Sequence, residues 1–171
     1  MPRLFLLDVD GVLTTGRMYY TAEGKALKVF GPDDNDALCL LKPHLEIRCI
    51  TSDRRGLEIS RKRVVEDMGL PLDLVPTAER VRWVAERFDP AEVVFMGDGI
   101  FDHHLFRAVG YSIAPANAHP LAKRYASFVT ECRGGDRAVA EACLHLLEKF
   151  FTPYDPEAPL SPDQTAFGQS G

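Results

Sequence analysis

The segment LFLLDVDGVLTTG, residues 4–16, decides the fold because an apolar run ends in two aspartates one residue apart. Consecutive apolar residues of this kind predict a strand that is buried on both faces, as in a parallel sheet. An ionised carboxylate in apolar surroundings costs several kcal/mol or more unless a partner compensates it. Asp8 and Asp10 therefore predict a charged partner at the end of this strand.

Short β-rich segments alternate with helical patterns along the chain, which indicates an α/β fold with a mostly parallel sheet flanked by helices. We predict strands at residues 3–8, 46–51, 72–75, 92–97, 110–113 and 127–129. We predict helices at residues 34–42, 55–68, 77–87, 101–108, 118–123 and 135–150. The segment RMYYTAEGKALKVF predicts a β-hairpin that turns at AEGK and projects from the sheet.

The end of the chain differs from the rest in composition. The last twenty residues contain four prolines and little periodic hydrophobicity. Such a segment is typical of an extended tail. We therefore predict one domain at residues 1–151 and a C-terminal tail at residues 152–171.

The composition of the 171-residue chain, 46% hydrophobic and 26% charged, is that of an ordinary globular protein. No apolar run approaches the roughly 20 residues of a membrane span, and the start of the chain is too short and too acidic for a secretory signal. We therefore expect a cytoplasmic protein without a membrane partner. The net charge of −5 gives no general attraction to nucleic acid. The cysteines lack CxxC spacing, and we expect free thiols at Cys39, Cys49, Cys132 and Cys143.

Polar residues follow several predicted strands at their carboxyl ends, where parallel α/β sheets bind ligands. These residues are Asp8, Asp10, Thr51, Ser52, Arg80, Asp98 and Asp102. Alternation along an extended segment points Asp8 and Asp10 to the same side. Acidic groups in one crevice repel each other unless a cation is present, and oxygen ligands favour a hard cation, most plausibly Mg²⁺.

A metal beside carboxylates and cationic donors favours phosphoryl transfer. One carboxylate would form an aspartyl-phosphate, a second would donate a proton to the leaving oxygen, and the cation would offset charge on the transferring group. Gly11, just past the strand, would turn its backbone N–H toward the phosphate. Taken alone, paired acids after a strand are more often a turn or a helix cap than a metal site. Thr51 and GDGIFD at the expected intervals favour the metal site.

Three segments, DVDGVLTTG, CITSDR and VVFMGDGIFD, resemble the haloacid dehalogenase superfamily, whose signature is DxDx[TV], a Thr or Ser, a Lys or Arg, and GDxxxD. Further segments resemble its branch of small phosphatases for 3-deoxy-D-manno-octulosonate 8-phosphate and acylneuraminate 9-phosphate: GRMYYTAEGKALKVF, ANAHPLAKRYASFVT and GGDRAVAE. The likeness covers about residues 3–150. It implies a Rossmann-like fold and a phosphomonoesterase that acts on an acidic sugar phosphate of eight or nine carbons.

The resemblance also implies catalytic and phosphate-binding roles. Asp8 would be the nucleophile and Asp10 the general acid/base. Thr51 would bind the phosphate, and we expect the same of Gly11, Ser52 and Arg80.

The resemblance further implies the ligands of a Mg²⁺ ion. Asp98 would bind the metal beside the Asp8 carboxylate and the Asp10 carbonyl. Asp102 would be a further acid of the metal site, either as a ligand or behind the ligands.

The chain departs from the pattern of the branch at three positions. Arg80 stands where the superfamily usually has lysine, and its planar fork replaces a compact ammonium. Ser52 stands where the branch usually has glycine. The RDG of the branch reads GPDDNDA here, with Asp33 in place of the arginine. We therefore expect an altered substrate.

Spacing predicts a version of the fold without a cap domain. Only 42 residues lie between Asp8 and Thr51, and 46 lie between Thr51 and Asp98. The predicted elements fill both intervals, so the site would be open to water. In the resembled branch, a tetramer closes the site with the hairpin of a neighbouring subunit, and we expect a homo-oligomer of this kind here.

Two other functions stay open at this point. Asp33 and Arg80 could indicate a catalytically weak subunit for binding or assembly, and an open site would also suit a nucleotide or phosphoprotein substrate.

Several other polar residues have an ordinary structural interpretation. For the adjacent histidines His103 and His104, we favour surface or interface packing over metal binding. His119 favours a loop-ordering role. Contacts with substrate by Arg54, Arg55, Tyr19 or Tyr20 are possible but not required by the pattern.

Overall fold

The computed structural model describes residues 1–165. Its strands are β1 (Leu4–Asp8), β2 (Thr14–Thr21), β3 (Gly24–Phe30), β4 (Glu46–Thr51), β5 (Leu72–Leu74), β6 (Val93–Met96), β7 (Tyr111–Ala114) and β8 (Phe128–Val129). Its helices are α1 (Asp34–Leu41), α2 (Leu57–Arg61), α3 (Arg80–Ala85), α4 (His103–Phe106), α5 (Pro120–Tyr125) and α6 (Ala138–Phe150). Helix α2 continues as a π-helical segment, and 3₁₀ turns lie at Thr77–Glu79, Pro90–Glu92 and Pro162–Gln164.

Six strands form one parallel sheet in the order β5-β4-β1-β6-β7-β8. Strand β1 lies inside this sheet and is buried along its whole length. Phe5 and Leu7 pack into the core beneath α1 and α6, whereas Leu4 and Leu6 pack into the core beneath α3, α4 and α5. This alternation, with both faces apolar, explains why the strand reads as a continuous hydrophobic run. The predicted α/β fold class is confirmed.

The position of the site follows from the strand order. After β5 the chain crosses to β6, on the other side of β1, so the connections from β1 and β6 leave the sheet in opposite directions. Open α/β sheets bind ligands at such a switch point, outside the carboxyl ends of the strands. Asp8 ends β1, and Asp98 follows β6 by two residues.

The hairpin is separate from the main sheet, as predicted. Strands β2 and β3 pair only with each other, antiparallel, and Ala22 and Glu23 lie at the turn. One side of the hairpin lies near the carboxyl end of β4, where Lys25 and Lys28 pair with Asp53. Its other side exposes a set of large apolar side chains, Met18, Tyr19, Tyr20, Leu27 and Val29.

The predicted helix bounds differ from the observed ones for local reasons. Helix α4 begins at His103 rather than at residue 101 because the Asp102 carboxylate turns back to accept the Gly99 N–H at 2.7 Å. Helix α5 begins at Pro120 because the His119 ring accepts the Leu121 N–H, which caps the first turn. Helix α6 begins at Ala138 because Arg137 adopts a left-handed conformation with φ of +71°.

No cap domain is inserted between β1 and β6 in the described chain, which agrees with the spacing argument. All four thiols are free, and those of Cys39, Cys49 and Cys143 are buried. Among residues 1–165 no helix combines the length and the apolar character that crossing a bilayer requires.

Residues 152–165 are mostly exposed and contain only the 3₁₀ turn at Pro162–Gln164. Just before them, the Phe151 ring stacks on His44 at 4.9 Å between centroids. The remaining part of the predicted tail, residues 166–171, lies outside the described residues. The division into a domain at 1–151 and a tail at 152–171 stays a prediction.

Candidate active site

The chain after β1 forms one wide turn at Val9–Leu13, which the Thr14 N–H closes by donating to the Val9 carbonyl. Asp10 leaves the helical conformation there, with φ of −78° and ψ of 118°. The Asp8 Oδ1 accepts the Val9 N–H at 2.8 Å. The turn therefore holds the Asp8 carboxylate at the end of the strand.

Gly11 has no room for a side chain. Its φ is +87°, and a Cβ placed on it would lie 2.0 Å from the Asp98 Oδ2. Its N–H donates to the Thr14 Oγ1 at 3.2 Å, so that group already has an acceptor within the chain. The visible function of Gly11 is close packing against Asp98, and phosphate binding by its N–H stays a prediction.

Arg80 is the charged partner of Asp8. One guanidinium nitrogen, Nη1, donates to the Asp8 Oδ2 at 2.7 Å and to the Asp102 Oδ1 at 2.8 Å. The side chain is only 4% exposed, so these are buried ion pairs. Removing one partner from a buried ion pair leaves an uncompensated charge, which costs far more than losing a surface pair.

Arg80 and Ser52, two of the residues that depart from the pattern of the branch, contact each other. The second guanidinium nitrogen, Nη2, donates to the Ser52 Oγ at 3.0 Å, and the Ser52 Oγ lies 2.8 Å from the Thr77 Oγ1. A lysine ammonium has no second nitrogen that needs an acceptor, whereas arginine presents a fork of donors. Ser52 therefore supplies an acceptor that Arg80 requires and that a glycine would lack.

Asp8, Asp98 and Asp102 form a cluster in which one carboxylate oxygen of each lies within 4.8 Å of the others. Burial raises the pKa of Asp98 to about 7, and the neighbouring Asp8 and Asp102 charges add to this shift. Burial also raises the pKa of Asp8 to about 6, although Arg80 opposes the shift. One guanidinium does not balance three carboxylates, and their oxygen donors match a hard divalent cation.

Asp102 is held from two sides. Its Oδ1 accepts from Arg80, and its Oδ2 accepts the Gly99 N–H. The Asp98 backbone is held as well, because its carbonyl accepts the His119 N–H at 2.8 Å. Any residue except proline could donate this backbone hydrogen bond, so the loop-ordering role expected for the His119 side chain stays a prediction.

Asp10 lies on the other side of the site, against Thr51 and the hairpin. The Thr51 Oγ1 donates to the Asp10 Oδ2 at 3.2 Å and accepts the Asp53 N–H at 3.0 Å. The Lys28 Nζ lies 2.8 Å from the Asp10 Oδ1 and 3.1 Å from its Oδ2. Sequence reasoning missed Lys28 and Asp53, since only the packing of β3 onto the site brings them there.

The remaining sequence candidates lie around this centre. Asp33 forms an ion pair with Arg137 at 2.6 Å, and both have positive φ values. His103 and His104 pack on each other with ring centroids 4.1 Å apart, which agrees with the packing interpretation.

Two cavities flank the site. The first, of about 480 Å³, begins beside the Ser52–Thr77 contact and has an apolar lining: Thr77, Ala78, Val81, Phe101 and His104. The second, of about 430 Å³, lies between the hairpin and the loop before α6 and includes two guanidinium groups in its lining: Thr15, Arg17, Tyr19, Val29, Asn117, Arg133, Gly134 and Asp136. Gly134 in its wall packs on the Gly11 carbonyl, next to Asp10.

Comparison with known proteins agrees with this architecture. A model of the haloacid dehalogenase-like hydrolase family matches residues 83–142. The 3-deoxy-D-manno-octulosonate 8-phosphate phosphatase of Salmonella typhi is 34% identical over 150 residues, which cover 85% of this chain and 79% of the relative.

Solved structures of similar proteins share the fold. The phosphatase of the same name from Yersinia pestis is 32% identical, covers 86% of this chain and 81% of its own, and superposes with a TM-score of 0.73. The cobalt-bound deoxy-D-mannose-octulosonate 8-phosphate phosphatase from Haemophilus influenzae is 25% identical, covers 86% of this chain and 88% of its own, and has a TM-score of 0.74. This chain therefore belongs to the haloacid dehalogenase superfamily, in the capless branch that resembles these sugar-phosphate phosphatases, and is itself a phosphatase.

Proposed function

We propose that this phosphatase is a Mg²⁺-dependent phosphomonoesterase that hydrolyses a small acidic sugar phosphate of eight or nine carbons through an aspartyl-phosphate. The observation that carries the proposal is the Asp8 carboxylate, held by Arg80 and the Val9 N–H beside the Asp98 and Asp102 carboxylates. The names of the similar enzymes support the class of substrate.

The chemistry would proceed in two displacements. In the first, an Asp8 oxygen attacks the phosphorus, the bond to the leaving oxygen breaks, and Asp10 gives that oxygen a proton. In the second, water attacks the phosphorus of the aspartyl-phosphate, Asp10 takes the proton of the water, and inorganic phosphate leaves as Asp8 is restored. Arg80 orients Asp8, the Thr51 hydroxyl is a phosphate ligand, and Ser52 acts through Arg80 by accepting a hydrogen bond from its second guanidinium nitrogen.

The residues present fit a divalent cation. The Asp8 and Asp98 carboxylates and the Asp10 carbonyl would hold it, with Asp102 as a further acid whose own oxygens are positioned by Arg80 and Gly99. When bound, the cation supplies positive charge that offsets the charge of the transferring phosphoryl group. The cobalt-bound relative supports a divalent metal, and the all-oxygen donor set favours Mg²⁺ over softer ions.

The cavity lined by Arg17 and Arg133 supports an acidic substrate, since a sugar carboxylate there would meet guanidinium donors.

The exposed apolar side of the hairpin supports a homotetramer in which the hairpin of a neighbouring subunit covers the open site. Sedimentation equilibrium separates a tetramer from a monomer, and a monomer at assay concentration would refute this assembly.

A substrate panel tests the function. With Mg²⁺ present, we expect kcat/KM for 3-deoxy-D-manno-octulosonate 8-phosphate or an acylneuraminate 9-phosphate to exceed that for glucose 6-phosphate, AMP and a phosphoserine peptide by at least about tenfold. This is the discrimination that about 1.4 kcal/mol of differential transition-state binding provides. Preference for AMP or for the peptide would contradict the proposed substrate and would assign the enzyme to nucleotides or phosphoproteins. No turnover of any ester would favour an assembly subunit.

A double-mutant cycle tests the link between Arg80 and Ser52. We expect Ser52→Gly to lower kcat/KM about tenfold, because it leaves a buried guanidinium nitrogen without its acceptor. In an Arg80→Lys background the same glycine substitution should change kcat/KM less than about threefold, since no second nitrogen remains. Equal losses in both backgrounds would show that Ser52 acts on the substrate independently of Arg80.

A further inference from the structure

Lys28 is a buried lysine in the hairpin whose ammonium reaches the site. Its side chain is fully buried, and its Nζ lies 2.8 Å from one Asp10 carboxylate oxygen and 3.1 Å from the other. A buried ammonium is tolerated only where ion pairs and hydrogen bonds compensate it. The position of Lys28 is therefore tied to that of Asp10.

The remaining contacts of Lys28 anchor it to two further parts of the chain. Its Nζ lies 2.9 Å from the Asp53 Oδ2, in the loop after β4, and donates to the Ser60 Oγ of α2 at 2.9 Å. Lys25, also on the hairpin, forms a second ion pair with Asp53. The three donors of the ammonium thus have partners on three different sides, which fixes its place.

We propose that Lys28 is a positioning residue for the reaction: it holds the Asp10 carboxyl group in the orientation from which its proton reaches the leaving oxygen. This inference rests on the proposed role of Asp10 as general acid. It makes the hairpin of each chain part of that chain's own catalytic site, in addition to any cover that a neighbouring subunit provides.

The physical argument concerns orientation. A general acid must lie about 2.6–3.2 Å from the oxygen that it protonates. Without Lys28, the described contacts of the Asp10 side chain reduce to the Thr51 hydroxyl at 3.2 Å, which holds only one oxygen. A misplacement of about 1 Å can cost on the order of 10²-fold in rate.

The test compares two leaving groups in the Mg²⁺-loaded protein. Lys28→Met removes the ammonium and keeps most of the volume. We expect its kcat/KM, which reports only the steps up to release of the leaving group, to fall about 10- to 100-fold on the best sugar phosphate, whose alkoxide leaving group needs a proton. On p-nitrophenyl phosphate, whose leaving group departs without one, we expect a loss of less than about threefold. Lys28→Arg should recover part of the lost sugar-phosphate activity.

Two controls make the result specific. Lys62→Met removes an exposed lysine that pairs with Glu66, and it should leave both activities unchanged. Ser60→Ala removes one anchor but keeps the ammonium, and it should shift the ratio of the two activities in the same direction by a smaller factor. The Ser60 variant decides the question if Lys28→Met does not fold.

Equal losses on both substrates, or no loss on either, would overturn the role of Lys28. Failure of the proposed function would look different. In that case Asp10→Asn would itself show no dependence on the leaving group, whatever the Lys28 variants do.

Discussion

Replacement of Asp8 by asparagine is expected to lower phosphate release by at least about 10⁴-fold, because an amide cannot form the aspartyl-phosphate. The change keeps the size of the side chain, and the amide oxygen can still accept from the Val9 N–H or from Arg80. Initial rates on the best sugar phosphate, with Mg²⁺ present, measure the loss. The folded state is checked by the melting temperature.

The matched control is Asp73→Asn, the same chemical change at the middle residue of β5, which pairs with Arg48. We expect its activity to stay within about twofold of the wild type, since surface ion pairs contribute little. Turnover at the wild-type rate by the Asp8 variant would exclude the aspartyl-phosphate mechanism. Loss of activity together with loss of the folded state would instead require Asp8→Glu, which lengthens the side chain but keeps the charge that pairs with Arg80.

Removal of divalent metal is expected to lower kcat by about 10³-fold. A catalytic cation stabilises the charge of the transition state by several kcal/mol, and each tenfold change in rate corresponds to about 1.4 kcal/mol. Treatment with EDTA followed by gel filtration prepares the metal-free protein, and titration with Mg²⁺ should restore the rate. Asp98→Asn should raise the Mg²⁺ concentration needed for half of the maximal rate. Full activity after EDTA treatment would remove the metal from the mechanism.

The Mg²⁺ requirement should depend on pH with a definite sign. Burial and the neighbouring carboxylates raise the pKa of Asp98 to about 7 in the metal-free protein. Below that pH the carboxyl group holds a proton that must leave before a cation binds, so the half-saturating Mg²⁺ concentration should rise as pH falls from about 7 to 5. Above about pH 8 it should level off. A flat profile across this range would show that Asp98 does not take part in binding.

The metal-free protein should show the linked effect on stability. An acid whose pKa is raised in the folded state binds more protons there than in the unfolded state, so stability should increase as pH falls from about 7 toward 4. Asp8, whose pKa is raised to about 6, acts in the same direction. Saturating Mg²⁺ should weaken this dependence, because it favours the ionised carboxylates.

Much of the fold was predictable from local patterns. The apolar run before Asp8 specified a strand buried on both faces, and β4 lies at residues 46–51, where the sequence predicted it. Helix ends were less predictable, since the starts of α4 and α6 depend on the Asp102 side chain and on the positive φ of Arg137. These are contacts and conformations that hydrophobic periodicity does not encode.

The candidate site was also predictable from the sequence only in part. Short motifs at strand ends identified the acidic residues and Arg80, because a parallel sheet collects the carboxyl ends of its strands at one edge. Their catalytic roles stay predictions until the substitutions are made. The geometry adds that Arg80 bridges Asp8 and Asp102 and that Ser52 accepts its second nitrogen.

The sequence by itself determined the α/β class, the family and the acidic cluster, since these follow from hydrophobic period and from motifs that span only a few residues. Only the tertiary structure decided that Lys28 of the hairpin lies on Asp10 and that Asp53 joins it. Those contacts join residues that lie 18 and 25 positions from Lys28 along the chain. The physical reason is that the partners of a buried ammonium are the residues that folding brings next to it, and these are distant in the sequence. The local pattern of β3 shows only a lysine between exposed apolar residues.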